Sequence, residues 1–586
     1  RRLSCTVILI TFDKARIGEM SCNPAIGGIA KGTLVREIDA LGGAMARSAD
    51  RSRLQFRMLN RKKGPAVWGP RVQSDAAEYA KSQHLELVSA GVDILEDEVT
   101  KLLGETKKVK GVKCRNTGEI RGKTVVIAAG TFLRGILYRG DEKWEGGRVN
   151  DKSSLLLEED LRKRMFHMER FKTGTPPRIY RDTVDTSKLI VQNGESGKYL
   201  FSISSTEPSQ YTEPCYITAT NEDTMNSAKR YIPESPLMSG KIEGIGPRYC
   251  PSYEDKVVKF PKRLKHTIFV EPMGQTSEYF YLNGISTSLP RAAQVEMVKS
   301  LPGFENAEIA VYGYAVEYSF FDSAEIDSTL RLVRTENVYS AGQVCGTSGY
   351  EEAAALGLMA GTNAARNVLE KEALVPNRME SYLGVMIEDI TLKGAKEPYR
   401  LFSSRAENRL HLRQDNAERR LFSFALHLNV LSPLQRKGTK KRIDDAIRIK
   451  SIIDESVIER IKGSKWCRRP EIEVDNLIRE IPDLLNFEKD LVESVMLDEK
   501  YDGYIRRNNK LVDDTRKASA VKLNQIENYM QIDEICREAR EILEAAKPKT
   551  LADAEKLPGL RPTDLQGLLL HIMLMGKEKR NVPRET

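Results

Sequence analysis

Three continuous apolar runs interrupt a chain whose hydrophobic and polar positions otherwise alternate at short range. Thr6-Val-Ile-Leu-Ile10, Thr124-Val-Val-Ile-Ala-Ala-Gly-Thr131 and Asn337-Val-Tyr-Ser-Ala-Gly-Gln343 would place apolar side chains on both faces of a strand, the pattern of parallel strands covered on both sides. The last run enters the glycine turn Gly346-Thr-Ser-Gly349 and then a small-residue helical stretch from Tyr350 to Gly361. Strands feeding helices in this manner predict a doubly wound α/β domain. From Arg178 to about Asp322 the texture changes to short strand-like runs broken by Pro, Gly, Asn and Ser, such as Glu213-Pro-Cys-Tyr-Ile-Thr-Ala-Thr220 and Ile268-Phe-Val-Glu-Pro272, which predicts an inserted domain. Beyond about residue 381, amphipathic patterns such as Arg442-Ile-Asp-Asp-Ala-Ile-Arg-Ile-Lys-Ser-Ile-Ile453 predict a helical C-terminal third. The expected division is 1–175 with 323–380, an inserted 176–322, a helical 381–515 and a second helical unit 516–586.

Composition narrows the class. The chain has 586 residues, 40% hydrophobic and 30% charged, and no apolar run approaches the roughly 18 residues of a membrane span. The eight cysteines (Cys5, Cys22, Cys114, Cys215, Cys250, Cys345, Cys467 and Cys536) form no CxxC pair and no metal-like spacing with the six histidines. Neither a disulfide framework nor a metal site is expected, and the usage fits a cytoplasmic or organellar compartment. The net charge of +9 is unevenly spread: residues 401–470 hold 17 Lys and Arg against 8 Asp and Glu. That stretch would attract a polyanion, or is simply a solvated helical face.

A helix that opens directly after a strand aims free N–H groups and its positive dipole end at an anionic ligand. Three turns offer this arrangement: Cys22-Asn-Pro-Ala-Ile-Gly-Gly28 before a helix from Lys31, Ala128-Ala-Gly-Thr131, and Ala341-Gly-Gln-Val-Cys-Gly-Thr-Ser-Gly349. Asn23, Gly27, Gly28, Gly342 and Gly349 are the cofactor-binding candidates they supply. The spacing of the last two turns resembles that of flavoproteins with two dinucleotide-binding motifs. Such proteins open on a strand and a G-x-G-x-x-G turn, which is absent ahead of Thr6. The strand at Thr6 is therefore expected to be the second of its unit, with about thirty residues omitted from this chain.

Cys22, just before a helix start, and Cys250, flanked by Arg248 and Lys256, sit where a thiolate would be favoured. Cys22, Cys250 and Lys256 are the catalytic candidates, the alternative being inert buried thiols. Lys172-Thr-Gly-Thr-Pro-Pro-Arg178 either grips phosphate or crosses between domains.

Taken together, Met20-Ser-Cys-Asn-Pro-Ala-Ile-Gly-Gly28, Leu41-Gly-Gly43, Lys63-Gly-Pro-Ala-Val-Trp68, Lys172 to Arg178, Gly246-Pro-Arg-Tyr-Cys-Pro-Ser252, Asn283-Gly-Ile-Ser-Thr-Ser-Leu-Pro290, Gly349-Tyr-Glu-Glu-Ala-Ala354, Lys396-Glu-Pro-Tyr-Arg400, Ser404-Arg-Ala-Glu407 and Tyr501-Asp-Gly-Tyr-Ile505 closely resemble the GidA/MnmG family over essentially the whole chain. Members modify the wobble uridine of certain tRNAs. The resemblance implies FAD, NADH, methylenetetrahydrofolate, an MnmE/TrmE-type GTPase partner and a homodimer. It implies flavin contacts at Val99, Ser154 and Gln343, and a nicotinamide-nucleotide segment from Gly246 to Phe260 that includes Gly246, Arg248 and Ser252. Cys22 and Cys250 match the two cysteines implicated in the family's chemistry. Arg405, Arg409, Arg413, Arg419 and Arg420 are the candidates for holding the anticodon region. Rival expectations are a folate- and FAD-dependent tRNA uridine-5-methyltransferase, which is a shorter relative, and a flavin-free tRNA-binding scaffold.

Overall fold

A computed structural model describes the chain except residues 198, 248–250, 395, 518–520, 556, 558 and 579–586, with the backbone alone described at 511–517, 562 and 575–578. Cys250 and Arg248 thus lie outside the described residues.

The α/β body is organised around two helices covered by other elements. In Lys31–Ala40 every residue from Gly32 onward is buried. Leu34, Val35, Ile38 and Leu41 supply the apolar repeat, and its buried Arg36, Glu37 and Asp39 each have hydrogen-bond partners. Gly32 permits close packing: a Cβ there would stand 2.6 Å from Pro70 Cδ. The second helix, Tyr350–Val368, buries Ala355, Leu356, Met359 and Ala360 against the same core. Two parallel strand pairs flank them: Ile8–Thr11 with Asp93–Glu96, and Val125–Ile127 with Val338–Ser340. All three apolar runs thus form parallel strands. Two of them keep an exposed member, Ile8 at 44% and Val126 at 38%.

The insertion is a six-stranded sheet in the order Ile190–Gln192, Cys215–Ala219, Thr267–Pro272, Tyr279–Asn283, Arg178–Tyr180, Ile309–Val311. Every pairing in it is antiparallel, so it has no parallel strand–helix–strand crossover of the dinucleotide-binding kind. Helices Glu222–Tyr231 and Arg291–Lys299 pack against its core. A four-stranded antiparallel sheet, centred on the fully buried strand Tyr314–Phe321, leads back to the body. From Tyr382 onward the regular elements among the described residues are helices, apart from the small hairpin Val457–Ile458 with Ile461–Lys462, with irregular stretches around 394–416 and 521–528. Two separate apolar cores, one within 446–496 and one within 523–569, support this helical region.

Two buried carboxylates tie the insertion to the body. Asp50 accepts from the Phe201 and Ser202 amides at 2.8 and 2.9 Å. Asp39 accepts from Ser202 Oγ at 2.6 Å and the Ile203 amide at 3.1 Å. Burial outweighs these bonds and raises the Asp39 carboxyl to about 6, against ~3.9 for a solvated Asp. The folded state therefore retains a proton that the unfolded chain releases, so this contribution is full below about pH 4 and is lost as the pH rises through about 6. Asp39→Asn, neutral at every pH, is expected to flatten the fall in melting temperature between pH 4.5 and 6.5; an unchanged slope would show that Asp39 does not titrate there.

Candidate functional site

Two turns lie at the carboxyl ends of a parallel strand pair. Val125–Ile127 runs into the turn Gly130–Phe132, and Val338–Ser340 into Gly342–Cys345. Gly130 (φ +56°) and Gly342 (φ +79°) adopt conformations that side chains resist. A Cβ on Gly130 would stand 3.5 Å from Gln343 Oε1, so the turns face each other. Ser154 joins the same edge, its amide donating to Phe132 O at 2.8 Å. The structure thus brings Ser154, Gln343 and Gly342 together at the edge where open α/β sheets bind ligands. Thr347 Oγ1, a buried hydroxyl in this part of the fold, has no hydrogen-bond partner among the described residues, while the buried Tyr318 hydroxyl is directed at the Gln343 side chain. Val99 starts a strand in the neighbouring sheet, half-buried against the central core.

The Cys22–Gly28 turn is a different object from the open anion loop expected of it. Ala25–Gly27 is a short strand, paired with Gly69–Ser74, that intervenes between Cys22 and the helix. Both candidate amides are engaged: Gly27 N–H donates to Glu351 Oε1 and Gly28 N–H to Pro70 O, each at 2.8 Å. Lys31 Nζ lies 2.9 Å from Glu351 and 3.3 Å from Glu352. Gly349 is corrected in the same way, because a Cβ there would collide with the Glu352 carboxylate. The Glu352 carboxylate thus sits against Gly349 at the amino terminus of Tyr350–Val368, where a negative charge is favoured by the helix dipole. Burial alone would raise the Glu351 carboxyl, but Lys31 and the Gly27 amide hold it below its ordinary value. The turn before it, Gly346 to Ser348, is pinned by Tyr399, whose carbonyl accepts from Ser348 N–H at 3.1 Å and whose amide donates to Gly346 O at 2.8 Å.

Cys22 is exposed. Its Sγ lies 3.4 Å from the Tyr281 hydroxyl, which comes from the insertion's central strand. Burial, and then the nearby Cys22, push the Tyr281 phenol well above its ordinary value. Arg178 lies over the Tyr281 ring at 5.3 Å and donates to Ser21 O at 3.4 Å. Beside it, Glu271 accepts from Arg71 at 2.6 Å and Asn283 at 3.3 Å, and Asn23 is a further hydrogen-bond donor to it. Asn23 is thus engaged by the insertion. Arg178 of the Lys172–Arg178 motif serves this junction, while Lys172 is buried 3.9 Å from Asp255.

Lys256 donates to Gly284 O at 2.7 Å, and Ser252 caps its short helix through the Asp255 amide. Gly246 backs onto Lys172, where a Cβ would meet Cε at 2.5 Å. Elsewhere His167 and Glu169, two residues apart, and the distant Asp322 place ligand atoms within 4.8 Å of one another. They are largely exposed and carry no assignment.

The five arginines divide sharply. Arg409 is exposed and makes no ion pair among the described residues. Arg405 is half-buried, over the Tyr399 ring at 4.3 Å and 3.6 Å from Asp389. Arg413 has no exposed side-chain surface; it binds Asp415 at 2.8 Å and Asp498 at 2.6 Å and lies over Tyr501. Arg420 is buried on Glu37 at 3.0 Å, and Arg419 binds Asp498 and Ser494, each at 2.6 Å. Expecting Arg413 and Arg420 to hold RNA is therefore corrected, since their guanidiniums are spent inside the protein. Charge counting cannot distinguish an interior cation from a surface one.

Paired turns at the carboxyl edge of parallel strands, an antiparallel insertion and a helical extension define a flavoprotein-type α/β fold. Residues 1–372 match the family described as glucose inhibited division protein A. Residues 431–509 match the C-terminal helical domain, and 512–586 the C-terminal helical bundle, of the tRNA modifying enzyme MnmG/GidA. The chain is 41% identical to the tRNA uridine 5-carboxymethylaminomethyl modification enzyme MnmG of Borreliella burgdorferi, covering 97% of this chain and 94% of that one. It is 38% identical to the enzyme of that name from Bdellovibrio bacteriovorus, over 97% and 92%. Aquifex aeolicus GidA in its form I crystal superposes with a TM-score of 0.83 at 37% identity, covering 97% and 96%. The chain belongs to the MnmG/GidA family. No helix among the described residues is long and apolar enough to cross a membrane.

Removing Arg413 would leave the buried Asp415 carboxylate without its closest cation, Arg419 remaining on Asp498. Arg413→Ala is expected to destabilise the helical region by about 3–5 kcal/mol, seen as a lowered melting temperature; a melting curve matching the wild type would contradict the interior placement.

Proposed function

We propose that this protein modifies carbon 5 of a tRNA wobble uridine, installing an aminomethyl or carboxymethylaminomethyl group. In this reading it uses FAD, NADH and methylenetetrahydrofolate, acts as a homodimer, and works with an MnmE/TrmE-type GTPase. The proposal is supported by the near full-length relation to enzymes named for this modification. The observation that carries the chemistry is the exposed Cys22 thiol beside the buried Tyr281 phenol. Residues 1–175 and 323–380 would hold FAD, 176–322 the nicotinamide nucleotide, and 516–586 the partner.

FAD fits the turn edge, where two glycines keep the backbone open and the buried Thr347 hydroxyl lacks a partner among the described residues. Gly130, Gly342, Gln343, Ser154 and Val99 are the residues proposed to hold it. Bound there, it supplies a ring that can carry reducing equivalents and a one-carbon unit.

Carbon 5 of uridine is a poor nucleophile until a group adds to carbon 6. A thiolate, proposed to be that of Cys250, forms an S–C6 bond, and the displaced electron pair makes carbon 5 nucleophilic toward an electrophilic methylene. Loss of the carbon 5 proton then expels the thiolate. Tyr281 stays protonated because of its burial, so it can donate a hydrogen bond to the Cys22 thiolate, which suits Cys22 to a proton-transfer role. Access requires the base to leave the anticodon stack. A uridine-5-methyltransferase fits less well, because the helical region past Tyr382 matches MnmG/GidA domains along most of its length.

Cys250→Ser is expected to retain yellow, stoichiometric FAD while giving no modified nucleoside by mass analysis of digested tRNA. Full modification by that variant would remove Cys250 from the mechanism, and a product heavier by only a methyl group would establish the methyltransferase reading. Tyr281→Phe should slow turnover by roughly tenfold or more without loss of FAD; an unchanged rate would leave the phenol no part in the chemistry.

A further inference from the structure

The insertion carries a charged ridge that overlaps the Gly246–Phe260 segment from Lys256 to Phe260 and runs beyond it to Lys265. Residues 256–265 read Lys-Val-Val-Lys-Phe-Pro-Lys-Arg-Leu-Lys, with five cations and no acid. Two of the cations are engaged: Lys256 bonds Gly284 O, and Lys259 lies 3.7 Å from Asp255. Lys262, Arg263 and Lys265 are exposed and make no ion pair among the described residues. Between them stand Phe260, 53% exposed, and Leu264, 40% exposed. The ridge is a shaped loop: Arg263 N–H donates to Phe260 O at 2.9 Å, and Thr220 Oγ1 donates to Leu264 O at 2.7 Å. The acids nearest along the adjoining helix, Glu222 and Asp223, form no ion pair with these cations.

Position gives the ridge its meaning. It feeds directly into strand Thr267–Pro272, whose Glu271 receives Asn23 and stands in register with Tyr281. Four residues of strand separate Thr267 from Glu271, about 13 Å at the usual rise. A polyanion lying on the ridge would thus pass within a few nucleotides of the Cys22–Tyr281 pair.

We propose that residues 258–265 form an RNA-contact surface, in which Lys262, Arg263 and Lys265 grip phosphates of the tRNA strand next to the target base and Phe260 stacks on an unpaired base. The inference rests on the tRNA reading above. Cations interleaved with one exposed aromatic are what single-stranded and loop RNA requires: charge follows the backbone, and a π-face accepts any base. An anionic membrane would instead favour a longer amphipathic helix, whereas the helix Tyr253–Lys259 has only seven residues and the rest of the ridge is irregular.

The full-length protein is titrated with an unmodified tRNA transcript at several salt concentrations, and separately with phosphatidylserine vesicles. The triple variant K262E/R263E/K265E should bind tRNA about tenfold or more weakly, with the slope of log affinity against log salt shallower by about 2. F260A should weaken binding about fivefold or more with the slope unchanged. Equal melting temperatures confirm intact folding; if charge reversal lowers them, K262A/R263A/K265A replaces the triple variant. Wild-type affinity and slope in both variants would overturn the ridge while leaving the tRNA reading standing. Wild-type protein that binds tRNA no better than duplex DNA would overturn the functional reading itself. Vesicle binding that depends on the three cations, with tRNA binding unaffected, would reassign the ridge to a membrane surface.

Discussion

The architecture turns on one buried charge cluster. Lys31, at the start of the central helix, meets Glu351 and Glu352 from a segment 320 residues further along. Its ammonium is held charged at a site that would otherwise favour the neutral amine, because two carboxylates more than offset the burial. Glu351 also takes the Gly27 amide, and Glu352 takes the Leu401 amide at 3.2 Å. Three chain segments distant in sequence, around Gly27 to Lys31, Glu351 to Glu352 and Leu401, are thereby joined at one point. Removing any member would leave the others as uncompensated buried groups. The Cys22 loop leaves this point on one side and the Gln343 turn approaches it on the other.

Much of the fold was legible because parallel strands read as unbroken apolar runs, and Val125–Ile127 and Val338–Ser340 fall inside the runs that predict them. The insertion was legible as a change in texture. Its antiparallel pairing was not, since strand direction depends on connections that Pro- and Gly-rich loops do not encode. The reach of the first strand was overstated: an apolar run reports suitability for burial, not the presence of a covering layer.

The site was half legible. Gly342 and Gln343 follow from strand-to-turn grammar, and Cys22 from its position before a helix. Tyr281 and Glu271 gave no local signal, because what matters about them is side-chain contact with Cys22 and Asn23, about 250 positions away. Glu351 and Glu352 were visible only as part of a motif, without a role. The arginines show the converse failure: Arg409 and Arg413 are alike in sequence context, yet one meets water and the other two carboxylates. Neutralising interior cations with acids from helix Lys489–Lys517 leaves the net charge of the region unchanged while withdrawing part of it from any ligand.

The antiparallel pairing of Thr267–Pro272 with Tyr279–Asn283 couples Glu271 to Tyr281 directly. Side chains alternate across a strand, so a shift of one residue would turn the phenol into the apolar interior and present Phe280 or Leu282 to the sulfur. The connecting segment 273–278, held by Asp75 through the Gln275 amide at 2.8 Å, therefore acts as a spacer gauge: its length, set far from any reacting atom, determines which side chain greets the thiol.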